Sequence, residues 1–135
     1  MYEFEIMVRF GETDAAGHVN NASYFIYFEE ARIRFFEEHD FYNNSNSKKP
    51  GFILASTKCD YISQAYARDR LKIQTEVASI GNKSFTFAHE VINVKTGKLI
   101  ARSTATIVTF DYEEQCSIPI PKYIREKLQA QLIEY

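Results

Sequence analysis

The sequence has few cysteines, and this scarcity excludes several kinds of protein. Only Cys59 and Cys116 occur among 135 residues, which is too few for the disulfide framework of a small secreted domain. No group of cysteine and histidine residues has the spacing of a zinc site. We therefore expect two reduced thiols, no metal ion and a cytoplasmic location.

An excess of positive charge and a long apolar run are also missing. Sixteen Lys and Arg stand against eighteen Asp and Glu, whereas nucleic-acid-binding domains usually carry a basic excess. No apolar run approaches the roughly 18 residues that cross a membrane. The N-terminal segment MYEFEIMVRF lacks the basic and apolar regions of a signal peptide. We expect no nucleic-acid partner, no membrane span and no signal peptide.

The residues that are present are typical of one globular domain. Apolar residues make up 45% of the chain, with eleven Phe and nine Tyr, which is enough to form a hydrophobic core. A chain of this length usually forms a single domain. Neither an internal repeat nor a linker divides it, so we predict one domain over residues 1–135.

Alternation of apolar and polar residues, together with a run rich in β-branched and aromatic residues, predicts five strands. The predicted strands cover residues 2–10, 52–63, 70–80, 84–94 and 99–111. Tight turns at Gly81–Asn82 and at residues 95–98 join the last three strands into an antiparallel meander. The small polar residues between positions 43 and 51 predict a loop.

A helical period replaces this alternation over residues 22–39. Tyr24, Phe28, Ala31 and Phe35 form one apolar stripe, and Asn20 or Asn21 can cap the helix. Four further residues widen the apolar surface: Phe25, Ile26, Tyr27 and Phe36. The charged residues of this segment are predicted to form a solvated face.

A second, shorter helix is predicted after Pro121, with Ile124, Leu128 and Leu132 as its stripe. The order of elements predicts an α+β architecture in which one long helix packs on one antiparallel sheet. One sheet covers only one side of such a helix. The remaining apolar surface and the sheet edges favour a homo-oligomer.

The loop before the long helix contains a dense group of polar residues that could take part in a reaction. Asp14, Gly17, His18, Asn20 and Asn21 occur within eight residues. A helix N-terminus offers unpaired N–H groups and a partial positive charge, and a carboxylate beside it can act as a base or a nucleophile. This loop is the candidate reaction site, although an Asp in a loop can also simply cap a turn.

The motif T-D-x-x-G-H-V-N-N-x-x-Y, from Thr13 to Tyr24, is followed by F-E-E-A-R on the predicted helix. Together they resemble the hotdog-fold acyl-CoA thioesterases of the hydroxybenzoyl-CoA thioesterase-like superfamily. The resemblance covers essentially the whole chain in element order and length. It implies a five-stranded antiparallel sheet wrapped around the helix, a homodimer or dimer of dimers with active sites between subunits, and no cofactor.

The resemblance also implies hydrolysis of an acyl-CoA to a free acid and coenzyme A. Asp14 would act as general base or nucleophile, while N–H groups at the helix start would polarise the thioester carbonyl. The residues expected at the catalytic centre are Asp14, His18, Asn20, Asn21 and Tyr24. Those expected to bind substrate are Gly17, Val19, Arg70, Asn82, Lys83 and Ser84.

Several candidate residues have a structural alternative. His18 can shape the loop, the two asparagines can cap the helix, and Tyr24 can belong to the core. Some hotdog thioesterases use an acid on the helix, so Glu30 is an alternative to Asp14. His89 is expected in the core or an interface. Five basic residues can pair with coenzyme A phosphates or be ordinary strand-end charges: Arg68, Arg70, Lys72, Lys83 and Arg102.

Other functions on this fold remain open at this stage. An acyl hydratase would need a His and an acid in a motif that is absent here. A non-catalytic acyl-CoA sensor would usually carry an added DNA-binding domain, for which this sequence has no basic helix. The thioester could also be carried by acyl carrier protein. The acyl group could be aryl or fatty, and loops of the HVNN type in the family favour a fatty acyl substrate.

Overall fold

The computed structural model describes residues 1–42 and 50–132, and its centre is an antiparallel β-sheet. The strands are β1 (Tyr2–Met7), β2 (Gly51–Tyr61), β3 (Arg70–Ile80), β4 (Ser84–Asn93) and β5 (Leu99–Asp111). They lie in the order β1-β3-β4-β5-β2, and a two-residue strand, β6 (Cys116–Ser117), pairs with β5. The predicted meander of the last three long strands is confirmed.

The long helix α1 (Asn21–Glu38) packs against this sheet. All four residues of the predicted stripe are buried: Tyr24, Phe28, Ala31 and Phe35. They meet the inward-facing side chains of the strands, which alternate along β3 and β4 as a half-buried sheet requires. The predicted α+β hotdog architecture is therefore confirmed.

The short helix α2 (Lys122–Ala130) covers one end of the core. Ile124 and Leu128 are fully buried in a cluster that includes Phe36, Phe85 and Phe87. The helix ends before Leu132, which instead bridges Val77 and remains 38% exposed.

The structure corrects the sequence interpretation in four details. β1 ends at Met7 instead of residue 10, because Phe10–Glu12 form a turn of 3-10 helix. Strand β6 was not predicted, and Gly51 begins β2 instead of ending a loop. Phe25 and Ile26 are 37% and 60% exposed, so they do not widen the buried stripe within one chain. Residues 43–49 of the predicted loop lie outside the described residues.

The pairing of β1 with β3 positions the candidate site. Met7 lies opposite Arg70 at the end of this pair, and Val8 then accepts a hydrogen bond from Arg68 and donates one to Asp69. The segment after β1 therefore runs beside residues 62–69, which connect β2 to β3. Within the described residues, no helix is long and apolar enough to cross a membrane.

Candidate active site

The loop that carries Asp14 is closed at its base by main-chain contacts. The Asn20 N–H donates to the Glu12 carbonyl at 2.9 Å, and Thr13 forms an isolated antiparallel bridge with Val19. The chain therefore comes back beside Glu12 at Asn20, after the seven residues 13–19. Asp14 is consequently held in a closed loop that leads directly into α1.

Asp14 is exposed, and one of its carboxylate oxygens organises the loop. Oδ1 accepts hydrogen bonds from the N–H groups of Ala16 at 2.9 Å and His18 at 3.2 Å. The Asp14 N–H in turn donates to the His18 carbonyl at 2.8 Å. Oδ2 has no hydrogen-bond donor within residues 1–42 and 50–132. One oxygen therefore positions the carboxylate and leaves the other available for chemistry.

Gly17 allows this turn to close. Its φ is +82°, a left-handed conformation in which a Cβ atom costs roughly 1 kcal/mol or more. Its N–H donates to the Asp14 carbonyl at 3.0 Å. Its role is therefore to shape the loop around Asp14, while the predicted substrate contact stays a prediction.

The start of α1 combines a side-chain cap with an unused backbone donor. Asn20 is the N-cap, and its Oδ1 accepts from the Ala22 N–H at 2.9 Å. The Asn20 carbonyl accepts from the Ser23 N–H. Among the described residues, the Asn21 N–H has no acceptor, whereas the Asn21 carbonyl accepts from the Tyr61 hydroxyl at 3.2 Å. A free N–H thus stands at the positive end of the helix dipole.

Glu12, which the sequence interpretation missed, ties the loop to the helix. Its carbonyl accepts from the Ser23 hydroxyl, and its carboxylate accepts from the Tyr27 hydroxyl at 2.9 Å and from Arg9. Burial opposes ionisation of Glu12, but the hydrogen bonds from Arg9 and Tyr27 outweigh it and lower the pKa of this carboxyl. The charged form is therefore the one that holds the loop.

Tyr24 belongs to the core. Its side chain is buried, and its ring lies 5.9 Å from that of Tyr27 and 5.5 Å from that of Tyr61. Burial raises the pKa of the Tyr24 hydroxyl to about 12, so this group remains protonated near neutral pH. Tyr24 supports the first turn of α1 through packing, and its predicted place in the catalytic set stays a prediction.

His18 and Val19 connect the loop to the segment 62–69. The Val19 N–H donates to the Ala65 carbonyl at 2.8 Å, and the Val19 side chain is buried. His18 forms a main-chain bridge with Tyr66, and its ring packs edge-on against the Tyr66 ring. Tyr66 was not singled out from the sequence, although an aromatic residue within a polar connecting segment could have drawn attention to it.

A basic cleft of about 590 Å³ continues from Tyr66. Its cationic side chains are Arg68, Arg70, Lys95 and Lys98, opposed by one acid, Asp69. Arg68 has a φ of 76°, which costs a non-glycine residue of order 1 kcal/mol and is found most often at functional sites. Arg70 lines this cleft, while its predicted contact with substrate stays a prediction. Lys95 and Lys98 were missed because the sequence predicts their turn but not its position beside Arg68 and Arg70.

The other predicted substrate-binding residues lie at the far end of the same hairpin. Arg70 begins β3, whereas Asn82, Lys83 and Ser84 follow its end, about 33 Å away along an extended strand. The Asn82 carbonyl accepts from Ile120, which anchors the turn beside α2. One chain therefore does not bring this turn together with Asp14.

The remaining polar candidates give no sign of a metal site. Among residues 1–42 and 50–132, no group of three His, Cys, Asp or Glu side chains could hold a metal ion. Glu30 is exposed and pairs with Arg34 at 2.9 Å on the outer face of α1. Arg102 lies 3.8 Å from Glu90 on the sheet.

Comparison with known proteins adds a family match. A family model described as "Thioesterase-like superfamily" matches residues 8–131. The chain is 39% identical over 82 residues to the uncharacterized protein YsmA of Bacillus subtilis (strain 168), a match that covers 61% of this chain and 54% of YsmA. The alignment thus spans about half the length of that relative.

Two further relatives align over nearly the whole chain. The long-chain acyl-CoA thioesterase FadM of Escherichia coli (strain K12) is 27% identical over 125 residues, which cover 93% of this chain and 95% of FadM. The solved structure of a predicted thioesterase from Bacillus stearothermophilus superposes with a TM-score of 0.87 at 27% identity, and covers 99% of this chain and 98% of that chain.

Proposed function

The chain belongs to the thioesterase-like superfamily, and from that premise we propose that it hydrolyses an acyl-CoA to a free acid and coenzyme A. One observation carries the proposal. Among the described residues, the Asp14 carboxylate is held by Oδ1 and keeps Oδ2 free, and its loop leads directly into a helix whose Asn21 N–H has no acceptor. A base and an oxyanion donor are the two groups that thioester hydrolysis needs.

In the proposed reaction, a water oxygen attacks the thioester carbonyl carbon while Asp14 Oδ2 accepts the proton. The negative charge that develops on the carbonyl oxygen is stabilised by the Asn21 N–H and the positive end of α1. The C–S bond then breaks, and the departing thiolate takes up a proton. In the nucleophilic variant, Asp14 attacks the carbonyl carbon itself and the C–S bond breaks, which releases the coenzyme A thiolate. Water then cleaves the resulting anhydride to the free acid and the Asp14 carboxylate.

His18 and Asn20 position these groups in the proposal. The His18 N–H holds Asp14 Oδ1, and the Asn20 side chain occupies the Ala22 N–H. Asn20 thereby leaves Asn21 as the donor at the first helical position. No metal or redox cofactor takes part in the proposed steps.

We assign the basic cleft to the phosphates of coenzyme A. Arg and Lys pair well with phosphate oxygens, and the cleft adjoins His18 through Tyr66. This arrangement favours coenzyme A over acyl carrier protein as the thioester carrier. The relative FadM is named a long-chain acyl-CoA thioesterase. This name supports coenzyme A as the thioester carrier and a fatty acyl group as the substrate. An acyl-carrier-protein thioesterase and a non-catalytic acyl-CoA-binding protein are the alternatives.

The predicted contact of Asn82, Lys83 and Ser84 with substrate requires a second copy of the chain. Within one chain this turn lies at the opposite end of β3 from Arg70. β2 is an edge strand with residues 54–58 exposed, and an open edge is a surface on which two sheets can pair. We therefore propose a homodimer, or a dimer of dimers, in which the turn of one subunit reaches the site of another.

The test is thiol release from a panel of short, medium, long and aromatic acyl-CoAs. We expect Asp14→Asn to lower kcat by about 10²- to 10⁴-fold with an unchanged melting temperature, whereas Glu126→Gln, on an exposed face of α2, retains full activity. Full activity of a folded Asp14→Asn protein would contradict the proposal. Turnover restricted to acyl carrier protein thioesters, or binding of acyl-CoA without turnover, would favour an alternative.

A further inference from the structure

Glu12 contacts α1 at two successive turns of the helix. Its carbonyl accepts a hydrogen bond from the Ser23 hydroxyl at 3.0 Å, and its carboxylate accepts one from the Tyr27 hydroxyl at 2.9 Å. Ser23 and Tyr27 are four residues apart, so they lie on the same face of the helix. Both are buried. Glu12 is thereby fixed to α1 through its main chain and through its side chain.

Glu12 also stands at the base of the loop that carries Asp14. The Glu12 carbonyl accepts from the N–H of Asn20, the N-cap of α1, and the Asp14 N–H donates to the His18 carbonyl at 2.8 Å. Asp14 follows Glu12 by two residues, so their Cα atoms are at most about 7 Å apart. A displacement of Glu12 is therefore passed to the Asp14 carboxylate through a short, hydrogen-bonded stretch of chain.

The other donors to the Glu12 carboxylate are on Arg9. The Arg9 N–H donates to Oε1 at 2.8 Å, and the guanidinium donates to Oε2 at 3.1 and 2.7 Å. Arg9 caps the same 3-10 turn that contains Glu12, so these bonds shape the turn but do not fix it relative to α1. The Arg9 side chain is 80% exposed, and ion pairs at the surface contribute little to stability. The side-chain contact that relates Glu12 to the helix is therefore the one with Tyr27.

We propose that Glu12 is a positioning residue of the active site and that the Tyr27 hydroxyl is its anchor on α1. Through the closed loop, this pair holds the Asp14 carboxylate in the orientation in which Oδ2 accepts the proton of the attacking water. In this role neither Glu12 nor Tyr27 touches the substrate. A displacement of a reacting group by about 1 Å can cost about 10²-fold in rate. This inference rests on the proposed thioesterase function and assigns the residues that support its base.

The first experiment measures kcat and KM separately, because a positioning residue affects the chemical step and not the binding of substrate. Tyr27→Phe removes one hydroxyl and keeps the buried ring. We expect it to lower kcat by about three- to tenfold and to change KM by less than about twofold. Glu12→Ala should lower kcat by about tenfold to a hundredfold. Glu12→Gln keeps an oxygen that can accept from Tyr27 and should retain most of the activity.

A double-mutant cycle with Asp14→Asn distinguishes positioning from a loss of folded protein. Once the Asp14 carboxylate is gone, Glu12→Ala should change kcat by less than about twofold. A merely structural role would lower kcat by the same factor in both backgrounds, and equal factors would overturn the inference. A Tyr27→Phe protein with the kcat of the wild type would also overturn it. The matched control is Glu90→Ala, which removes a carboxylate that pairs with Arg102 on the sheet and should keep the wild-type kcat.

Amide hydrogen exchange separates this inference from the proposed function, because it needs no turnover. The N–H groups of Ala16 and His18 hold Asp14 Oδ1. In Tyr27→Phe both should exchange faster by about threefold or more, while N–H groups in the middle of α1 keep their wild-type rates. Faster exchange without hydrolysis of any acyl-CoA would support the anchor and contradict only the proposed function. Unchanged exchange in a protein whose hydrolysis depends on Asp14 would overturn the inference alone.

Discussion

The rings of His18 and Tyr66 meet edge to face, with centroids 5.2 Å apart and planes inclined by 78°. Their main chains also form an antiparallel bridge. These contacts join the loop of Asp14 to the segment that leads into β3 and the basic cleft. The position of His18, whose N–H holds Asp14 Oδ1, therefore depends on a residue nearly fifty positions further along the chain.

We expect Tyr66→Ala to lower kcat/KM by about three- to tenfold, because an edge-to-face ring pair contributes roughly 0.5–1.5 kcal/mol and its loss loosens the support of Asp14. Tyr66→Phe retains the ring and should keep nearly full activity. Steady-state thiol release measures both, with a melting curve for each variant. Equal activity of the alanine variant and the wild type would show that Tyr66 does not support the site.

Neutralising the basic cleft should weaken substrate binding with little effect on the chemical step. We expect the double variant Arg70→Gln/Lys98→Gln to raise KM for an acyl-CoA by about tenfold and to leave kcat nearly unchanged. The acyl-pantetheine analogue, which lacks the nucleotide phosphates, should be hydrolysed equally by variant and wild type. Arg102→Gln, outside the cleft, is the control. A matching loss on both substrates would argue against a phosphate site.

The buried His89 predicts that stability falls with acidity. Burial, assisted by the positive charge of Arg32, lowers the pKa of His89 from an ordinary 6.5 to about 3. The folded protein therefore keeps this imidazole neutral, while the unfolded chain binds a proton below pH 6.5. The contribution to stability is complete above the unfolded pKa and decreases by about 1.4 kcal/mol per pH unit as the pH falls toward the folded pKa.

Urea unfolding at several pH values measures this decrease. His89 Nδ1 and the Thr75 hydroxyl lie 2.9 Å apart, so the double variant Thr75→Val/His89→Leu removes the whole pair and should remain folded. From about pH 6.5 to about pH 5, the wild type should lose roughly 2 kcal/mol more than this variant. Thr75→Val alone keeps the titrating group and should keep the pH dependence. Parallel curves for the wild type and the double variant would exclude His89 as the cause.

The architecture was predictable from the sequence because its strands and helices follow simple periods. β3 and β5 begin and end where the alternation of apolar residues predicts, and each burial pattern reflects contact with α1 or with solvent. β1 was predicted too long because Glu12 bonds back to the Arg9 main chain and side chain and forms a 3-10 turn. An alternation of apolar and polar residues does not indicate where such a local hydrogen bond ends a strand.

The candidate site was predictable only in part. Asp14, Gly17 and the cap Asn20 act within one loop, where residue type and spacing carry the information. Glu12 and Tyr66 were missed because their roles come from contacts with residues that are distant in sequence. For the same reason, the prediction of a solvated charged face on α1 is wrong for Arg32, which is 7% exposed, whereas Arg34 is exposed and pairs with Glu30.

The sequence by itself determined the fold class, the long helix, the polar loop before it and the family, because propensity, periodicity and a short motif are local properties of the chain. Only the tertiary structure decided which distant residues meet. It placed Tyr66 on His18, gathered Arg70 and Lys98 into one cleft, and separated Asn82 from Arg70 by the length of a strand. The physical reason is that burial and pairing depend on how the sheet twists around α1, and this geometry arises only when the whole core packs.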